Sequence, residues 1–397
     1  MKSTLILLIG IMENKRLLVV EASSLLAGSQ KITLKIVDSL SDKGFEIYSL
    51  LKHDDSLFDG YYKRFNNHQF LMHKLLNRFF GTGDFSIKNL SFQSKLLLFF
   101  SVFISNLQVI YTAKKHRIYN IYCYDPKGII LCGLFAKFFK LKVIWHLHGK
   151  LNFGNKINRF LLGMADEVIV PSCSIADNFI NIRDDINVIY NGFEFKECDK
   201  LYEKKTDVIN LLFIGTIVPN KGLHVLIENL INSNFKENVI LNVLGSPVGD
   251  IGIAYKKYII ELINDLPKNV LVEFHGWVNN PYDFIKKSDL LLFSSLEKCR
   301  ITLNGEEKTF SASEGLPTVL IESIALGTPV LANKTTGVNE IVYDSCFGTV
   351  VDDISLCDFD KEIKEIIERR KNIPTTDFFK KFSINTMNES IFNIINR

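Results

Sequence analysis

A chain of 397 residues is long for one domain and comfortable for two, each large enough to bury its own core. Hydrophobic residues at 47% and charged residues at 23% are an ordinary globular balance, which excludes disordered and collagen-like classes. The net charge is only +3, but Met1–Tyr190 holds 24 Lys+Arg against 15 Asp+Glu, so the first half is basic and the remainder acidic. Seven scattered cysteines, none in a C-x-x-C pair, speak for free thiols rather than a disulfide framework or a zinc site.

At the start, Leu5–Ile11 is an apolar run behind Lys2, too short to span a bilayer and followed by no small-residue cleavage site. Met12-Glu13-Asn14-Lys15-Arg16 then leads straight into a strand. Met12 is therefore read as the start, the first eleven residues as an upstream misread or loose tail, and export is not expected. Short β-branched runs follow at Leu17–Val20, Phe45–Leu50, Tyr119–Tyr122, Val143–Leu147, Glu167–Val170 and Val188–Tyr190, bounded by Gly, Asn or Pro. Between the first two, Ile32, Ile36, Val37 and Leu40 share one helical face that ends at Lys43-Gly44. Lys95–Arg117 has an apolar, helix-length middle (Leu96–Ile110) interrupted by Ser101, Ser105, Asn106 and Gln108 and closed by basic residues. It reads first as a buried helix and second as a membrane-surface contact, to which the basic-aromatic Tyr61–Phe80 would add.

The charged stretch Glu194–Asp207 marks a boundary, and the pattern then restarts. Strands are expected at Leu211–Ile214, Val239–Leu244, Val270–Phe274, Leu290–Phe293, Val330–Ala332 and Thr349–Val351, with a helix carrying Leu223, Leu226, Ile227, Leu230 and Ile231. Two such alternations imply an α/β fold class: two Rossmann-like doubly wound parallel-sheet domains, with ligands beyond the carboxyl ends of the strands. The expected division is 1–193, 208–375, and a C-terminal helix in 376–397 that packs back on the first domain.

Four segments can carry chemistry. Glu314-Gly315-Leu316-Pro317 precedes an apolar helix stopped by Gly327 and Pro329. The start of that helix offers unpaired amides and a positive dipole end to a diphosphate, and Thr318 and Val319 are the expected donors because Pro317 has no N–H. Glu314 and Glu322 flank this seat. They suit sugar and ribose hydroxyls, although two acids at a helix start also follow from ordinary terminal preference. Gly215 through Leu223 is a strand-to-helix turn whose Lys221 can neutralise phosphate, and it lacks the P-loop order. Trp145-His146-Leu147-His148-Gly149 puts two His on one face, better suited to hydrogen bonding than to a metal. Leu26-Ala27-Gly28-Ser29-Gln30 is a small-residue turn able to approach an anion.

Taken as a series, these segments resemble the retaining glycosyltransferases of family four, glycosyl transferases group 1, which have the GT-B fold with the active site in a cleft between two domains. Ala27 through Gln30, His148-Gly149, Ala165-Asp166 through Ser172, Tyr190-Asn191-Gly192, Phe213 through Gly222, His275-Gly276-Trp277-Val278 and Glu314 through Pro329 occur in that family's order. The resemblance implies that Glu314 contacts donor-sugar hydroxyls and Glu322 the ribose. Lys221 and Gly28 would hold the diphosphate beside Gly215 and Thr216, His148 would lie near the transferred sugar, and backbone at Trp277 and Val278 would meet the base. It further implies metal-independent hexosyl transfer without a cofactor. The donor would be a nucleotide-diphosphate sugar, UDP-linked in preference to GDP-linked, and the acceptor a glycan or polyprenyl-diphosphate-linked chain of bacterial surface polysaccharide (O-antigen, capsule or exopolysaccharide). The enzyme would be cytoplasmic, in contact with the inner membrane surface through its basic first domain, and no nucleic acid is expected. An epimerase or phosphorylase on a similar scaffold, or a non-catalytic binding partner, are the alternatives.

Two departures stand out. Many relatives have Arg after the Gly of the Gly215 turn, where this chain has Thr216, so Lys221 or a substitute such as Arg300 must carry that charge. Glu297–Ala312 looks like an insertion, read either as a lid or acceptor loop or as a tolerated surface excursion around Asn304-Gly305.

Overall fold

The computed structural model describes residues 15–22, 28–51, 69–79, 90–151, 153–195, 208–311, 314–369 and 376–397. The expectations for Met12 and the preceding tail, for Ala27, for Tyr61–His68 and for most of the 194–207 boundary lie outside these residues. The chain divides into two compact units at Gly192/Phe193, and returns to the first at Ser383/Ile384.

The first unit is a seven-stranded parallel sheet: β1 (Arg16–Glu21), β2 (Glu46–Leu51), β3 (Gln69–Leu71), β4 (Asn120–Tyr124), β5 (Lys142–His146), β6 (Glu167–Val170) and β7 (Ile186–Val188), in the order β3-β2-β1-β4-β5-β6-β7. Side chains alternate between two cores, as strand geometry requires. Leu18, Val20, Ile121, Val143 and Trp145 pack toward one face, with Val109 and Ala113 of helix Phe92–Lys115. Leu17, Val19, Tyr122 and Ile144 pack toward the other, against Ile32, Ile36 and Leu40 of helix Gly28–Asp42. Two expectations shift here. The last strand lies at Ile186–Val188 rather than Val188–Tyr190, and β3 belongs to a stretch that shows no strand pattern.

The final helix, Ile384–Ile395, completes the second of those cores with Met387, Ile391, Ile394 and Ile395. Phe392 meets the Phe45 ring edge-on with centroids 6.1 Å apart, and Lys142 Nζ donates to Ile394 O at 2.7 Å. A Cβ on Gly192 would lie 2.6 Å from the Ile384 Cα, so the returning chain is seated on a glycine. Helix Thr376–Lys381 stays with the second unit.

The second unit has a six-stranded parallel sheet from β8 (Val208–Ile214), β9 (Asn238–Leu244), β10 (Val270–Gly276) and β11 (Leu290–Phe293), and, after a hairpin of β12 (Lys298–Leu303) and β13 (Glu306–Ser311), β14 (Val330–Asn333) and β15 (Gly348–Val351). Its order is β10-β9-β8-β11-β14-β15. In both units strand order reverses beside the first strand, which opens a ligand crevice at the carboxyl ends. The supposed insertion is the hairpin. Asn304 (φ +53°) and Gly305 (φ +80°) form its turn, both left-handed as a two-residue hairpin turn needs. Cys299, Ile301 and Leu303 enter the core of the unit, so neither a lid nor a loose surface excursion describes it.

Candidate functional site

In the second unit the carboxyl ends of β8, β9 and β10 are drawn together through glycines. Gly215 N–H donates to Leu244 O at 2.9 Å, and Gly245 N–H donates to Gly276 O at 2.7 Å. A Cβ on Gly245 (φ +148°) would sit 1.8 Å from Gly215 O, a clash that only glycine avoids. The turn after Gly215 closes with Pro219–Lys221 in a short 3₁₀ segment, and Gly222 (φ +71°) starts helix Leu223–Ile231. A Cβ at Gly222 would lie 2.0 Å from Ser294 O. Ser294 Oγ donates to Lys221 O at 2.9 Å and Leu296 N–H to Asn220 O at 2.8 Å, so the turn is pinned to the chain leaving β11.

That pinning presents the Lys221 ammonium, and Nζ forms an ion pair with Glu314 Oε1. Both side chains are mostly buried. Glu314 is followed by Gly315, whose carbonyl would be 2.8 Å from a Cβ on Gly337 (φ +79°), a further close backbone approach. Pro317 caps helix Thr318–Ala325, leaving the first-turn amides of Thr318 and Val319 without intrahelical acceptors. Glu322 lies in the second turn of that helix. Burial first and the Glu322 carboxylate second raise the Tyr282 phenol above its ordinary value, which puts the two side chains within electrostatic reach.

Beyond β10, the Trp277 ring is 66% exposed and its Nε1 donates to Asn279 Oδ1 at 3.1 Å, while Val278 is half-buried. Thr216 is half-buried in the turn. Arg300 is exposed and alternates with the core-facing Cys299 and Ile301, so its side chain leaves the hairpin on the outer face.

In the first unit, the His146 and His148 rings lie 4.1 Å apart at 30°, at the carboxyl end of β5. Tyr122 Oη and His146 Nδ1 are 2.6 Å apart. Burial holds His146 well below the ordinary histidine value and also lowers His148, against the opposing pull of Asp125. Both rings are therefore neutral near pH 7. His146 Nε2, His148 Nε2 and Tyr124 Oη are buried without hydrogen-bond partners, so three polar atoms at the carboxyl ends of β4 and β5 await an acceptor or donor. Gly28 opens helix Gly28–Asp42, where an added Cβ would meet nothing within 4 Å. Ser29 Oγ donates to Asp125 Oδ2 at 3.3 Å.

Asp125 was not singled out from sequence. It has φ +54°, its carbonyl accepts from Trp145 Nε1 at 3.0 Å, and it stands just after β4. Its left-handed backbone at the carboxyl end of β4 sets the carboxylate within reach of Ser29 Oγ. The available signal was Asp-Pro directly after a strand. No group of three His, Cys, Asp or Glu suited to a metal occurs among the described residues.

Residues 195–380 match the family model for glycosyl transferases group 1. The match lies wholly within the second unit. Relatives include the capsular polysaccharide biosynthesis glycosyltransferase CapH of Staphylococcus aureus, 25% identical over 56% of this chain and 58% of that protein. A 4-alpha-N-acetylgalactosaminyltransferase of Campylobacter jejuni, named for a diphospho-undecaprenol acceptor, is 24% identical over 52% of this chain and 53% of its own length. The matches thus span little more than half of these relatives. Anabaena HepE in complex with UDP-glucose superposes with TM-score 0.66 at 19% identity, over 96% of this chain and 99% of that one. The apo lipopolysaccharide outer core galactosyltransferase WaaB gives 0.69 at 15%, over 96% and 99%. The two units are the Rossmann-like domains of the GT-B fold.

Proposed function

We propose that this chain is a retaining, metal-independent hexosyltransferase that takes its sugar from a nucleoside-diphosphate donor. The observation that supports this best is the Lys221–Glu314 pair, held at a strand end ahead of the Thr318–Ala325 helix within the glycosyl transferases group 1 domain. Lys221 and the amides of Thr318 and Val319 hold the diphosphate beside Gly215 and Thr216. Glu314 takes the sugar hydroxyls and Glu322 the ribose, with the base against backbone at Trp277 and Val278. On the first unit, Gly28 leaves a helix start open to an anion, and neutral His148 offers Nε2 to a sugar hydroxyl.

The bond between the anomeric carbon and the diphosphate breaks, and the acceptor hydroxyl oxygen bonds to that carbon on the same face. The acceptor proton passes to the departing phosphate oxygen. The protein mainly stabilises the leaving charge and aligns the reactants. We favour a UDP-sugar, no further cofactor, and a glycan or polyprenyl-diphosphate-linked acceptor of bacterial surface polysaccharide, met at the cytoplasmic face of the inner membrane. HepE with UDP-glucose, CapH and the Campylobacter relative support these choices.

The test is incubation with UDP- and GDP-sugars, following nucleoside diphosphate release with and without lipid-linked acceptor and the anomeric configuration of any product. Acceptor-dependent release with retention is expected. Binding without turnover across the panel, or an inverted product, would overturn the reading.

A further inference from the structure

Helix Phe92–Lys115 of the first unit buries polar side chains on one face and exposes a row of apolar ones on another. Its polar side chains Ser101, Ser105 and Asn106 are fully buried, while Phe92 is 80% exposed, Phe99 63% and Tyr111 65%. Ser101 Oγ donates to Leu97 O at 2.8 Å within the helix, and the other two are satisfied from the neighbouring helix Asp125–Ala136. Ser105 Oγ donates to Leu131 O at 3.2 Å, Asn106 Nδ2 to Ile130 O at 2.9 Å, and Leu134 N–H to Asn106 Oδ1 at 3.0 Å. The outward positions Phe92, Leu96, Phe99, Phe103, Leu107 and Tyr111 recur every three or four residues, which makes one continuous apolar stripe along the helix. A groove of about 660 Å³ that includes Leu71, Met72, Ile104 and Leu107 continues this surface.

A face of this size and composition needs a covering partner. The helix is long and apolar enough to cross a bilayer, but half of its apolar window is buried and Asn106 is tied into the unit, so it does not span. Charge identifies what covers it. Between Asp84 and Asp125 there is no acidic residue, whereas Lys88, Lys95, Lys114, Lys115 and Arg117 are basic. Lys95, Lys114 and Lys115 are exposed at the two ends of the stripe. Lys114 Nζ donates to Phe139 O at 2.8 Å, which places the 85%-exposed Phe138 and its neighbour Lys140 beside the C-terminal end. A second copy of the chain would set these lysines against each other. An anionic lipid surface accepts the aromatic rings among its acyl chains and the ammonium groups among its phosphates.

We propose that the Phe92–Lys115 helix lies on an anionic bilayer surface through this stripe and anchors the first unit there. The claim does not rest on the donor chemistry, because vesicle binding is read without donor or acceptor. The experiment is co-sedimentation of the full chain with phosphatidylcholine vesicles, with and without phosphatidylglycerol, across a salt series. Salt-sensitive binding to the anionic vesicles is expected. Phe92→Ser with Phe99→Ser should weaken it at least about tenfold. Lys95→Gln with Lys115→Gln should weaken it about thirtyfold. All four changes are at exposed positions, so far-UV circular dichroism and the thermal midpoint should hold. Failure of the unaltered protein to bind, or equal binding by both double variants, would overturn the proposal. So would a dimer in light scattering that the Phe variant abolishes, which would assign the stripe to a second copy.

Discussion

Lys221 Nζ and Glu314 Oε1 form an ion pair in the second unit although 93 positions separate them in the chain. Two parallel-sheet crossovers and a hairpin lie between them, and only the fold brings them together. Each keeps the other's charge compensated before any donor arrives. Lys221→Ala and Glu314→Gln should each lower kcat/KM for donor by about 10²–10³-fold, the scale of losing one preorganised charge contact. Each should also cost roughly 1–3 kcal/mol of stability, less than for a fully buried pair. Steady-state rates of the two singles and the double should be strongly non-additive, because the residues act as a unit. Additive losses would separate their roles.

The glycines divide into those the fold needs and those a ligand needs. Gly222→Ala meets both positive φ and the Ser294 carbonyl, so urea unfolding should show a loss of about 3 kcal/mol or more. Gly28→Ala meets open space at a helix start, so stability should stay within about 0.5 kcal/mol. If the diphosphate approaches Gly28 closely, its donor KM should nonetheless rise about tenfold. An unchanged KM would remove Gly28 from the site.

Burial lowers the His224 value from 6.5 to about 4, with Nδ1 placed 2.8 Å from Tyr255 Oη. The folded state therefore keeps this ring neutral where the unfolded chain takes up a proton. Stability is full above pH 6.5 and is lost as pH falls toward about 4, by about 3 kcal/mol from this group. The lowered His146 adds to the same trend in the first unit. Denaturant midpoints across that interval should fall steadily, and His224→Gln should flatten the slope.

The closing helix is a piece of the first unit's core rather than a tail. Ending the chain at Ser383 removes Met387, Ile391, Ile394 and Ile395 and uncovers Ile36 and Leu40. Limited proteolysis of the truncated chain should degrade the first unit first and leave the second protected. Equal protection of both would contradict the role given to this helix.

Strand runs such as Leu17–Val20 and Leu290–Phe293 were legible because strands buried on both faces read as continuous apolar segments. β3 was not, being three residues with no pattern of their own. The hairpin concealed itself because Glu306–Ser311 has Phe310 as its only apolar residue, although Cys299, Ile301 and Leu303 alternate as a half-buried strand should. In the site, residue types pointed to Lys221, Glu314 and His148. What sequence could not show was the pairing of Lys221 with Glu314, the backbone clashes that require Gly222 and Gly245, or the left-handed Asp125, since each depends on neighbours distant in the chain.

The most direct measurement is acceptor-dependent nucleoside diphosphate release from a UDP-sugar by the unaltered chain, Lys221→Ala and Glu322→Ala. If the second unit holds the donor as proposed, the unaltered chain turns over and each variant loses at least about 10²-fold. Full activity in both variants would contradict that placement of the donor.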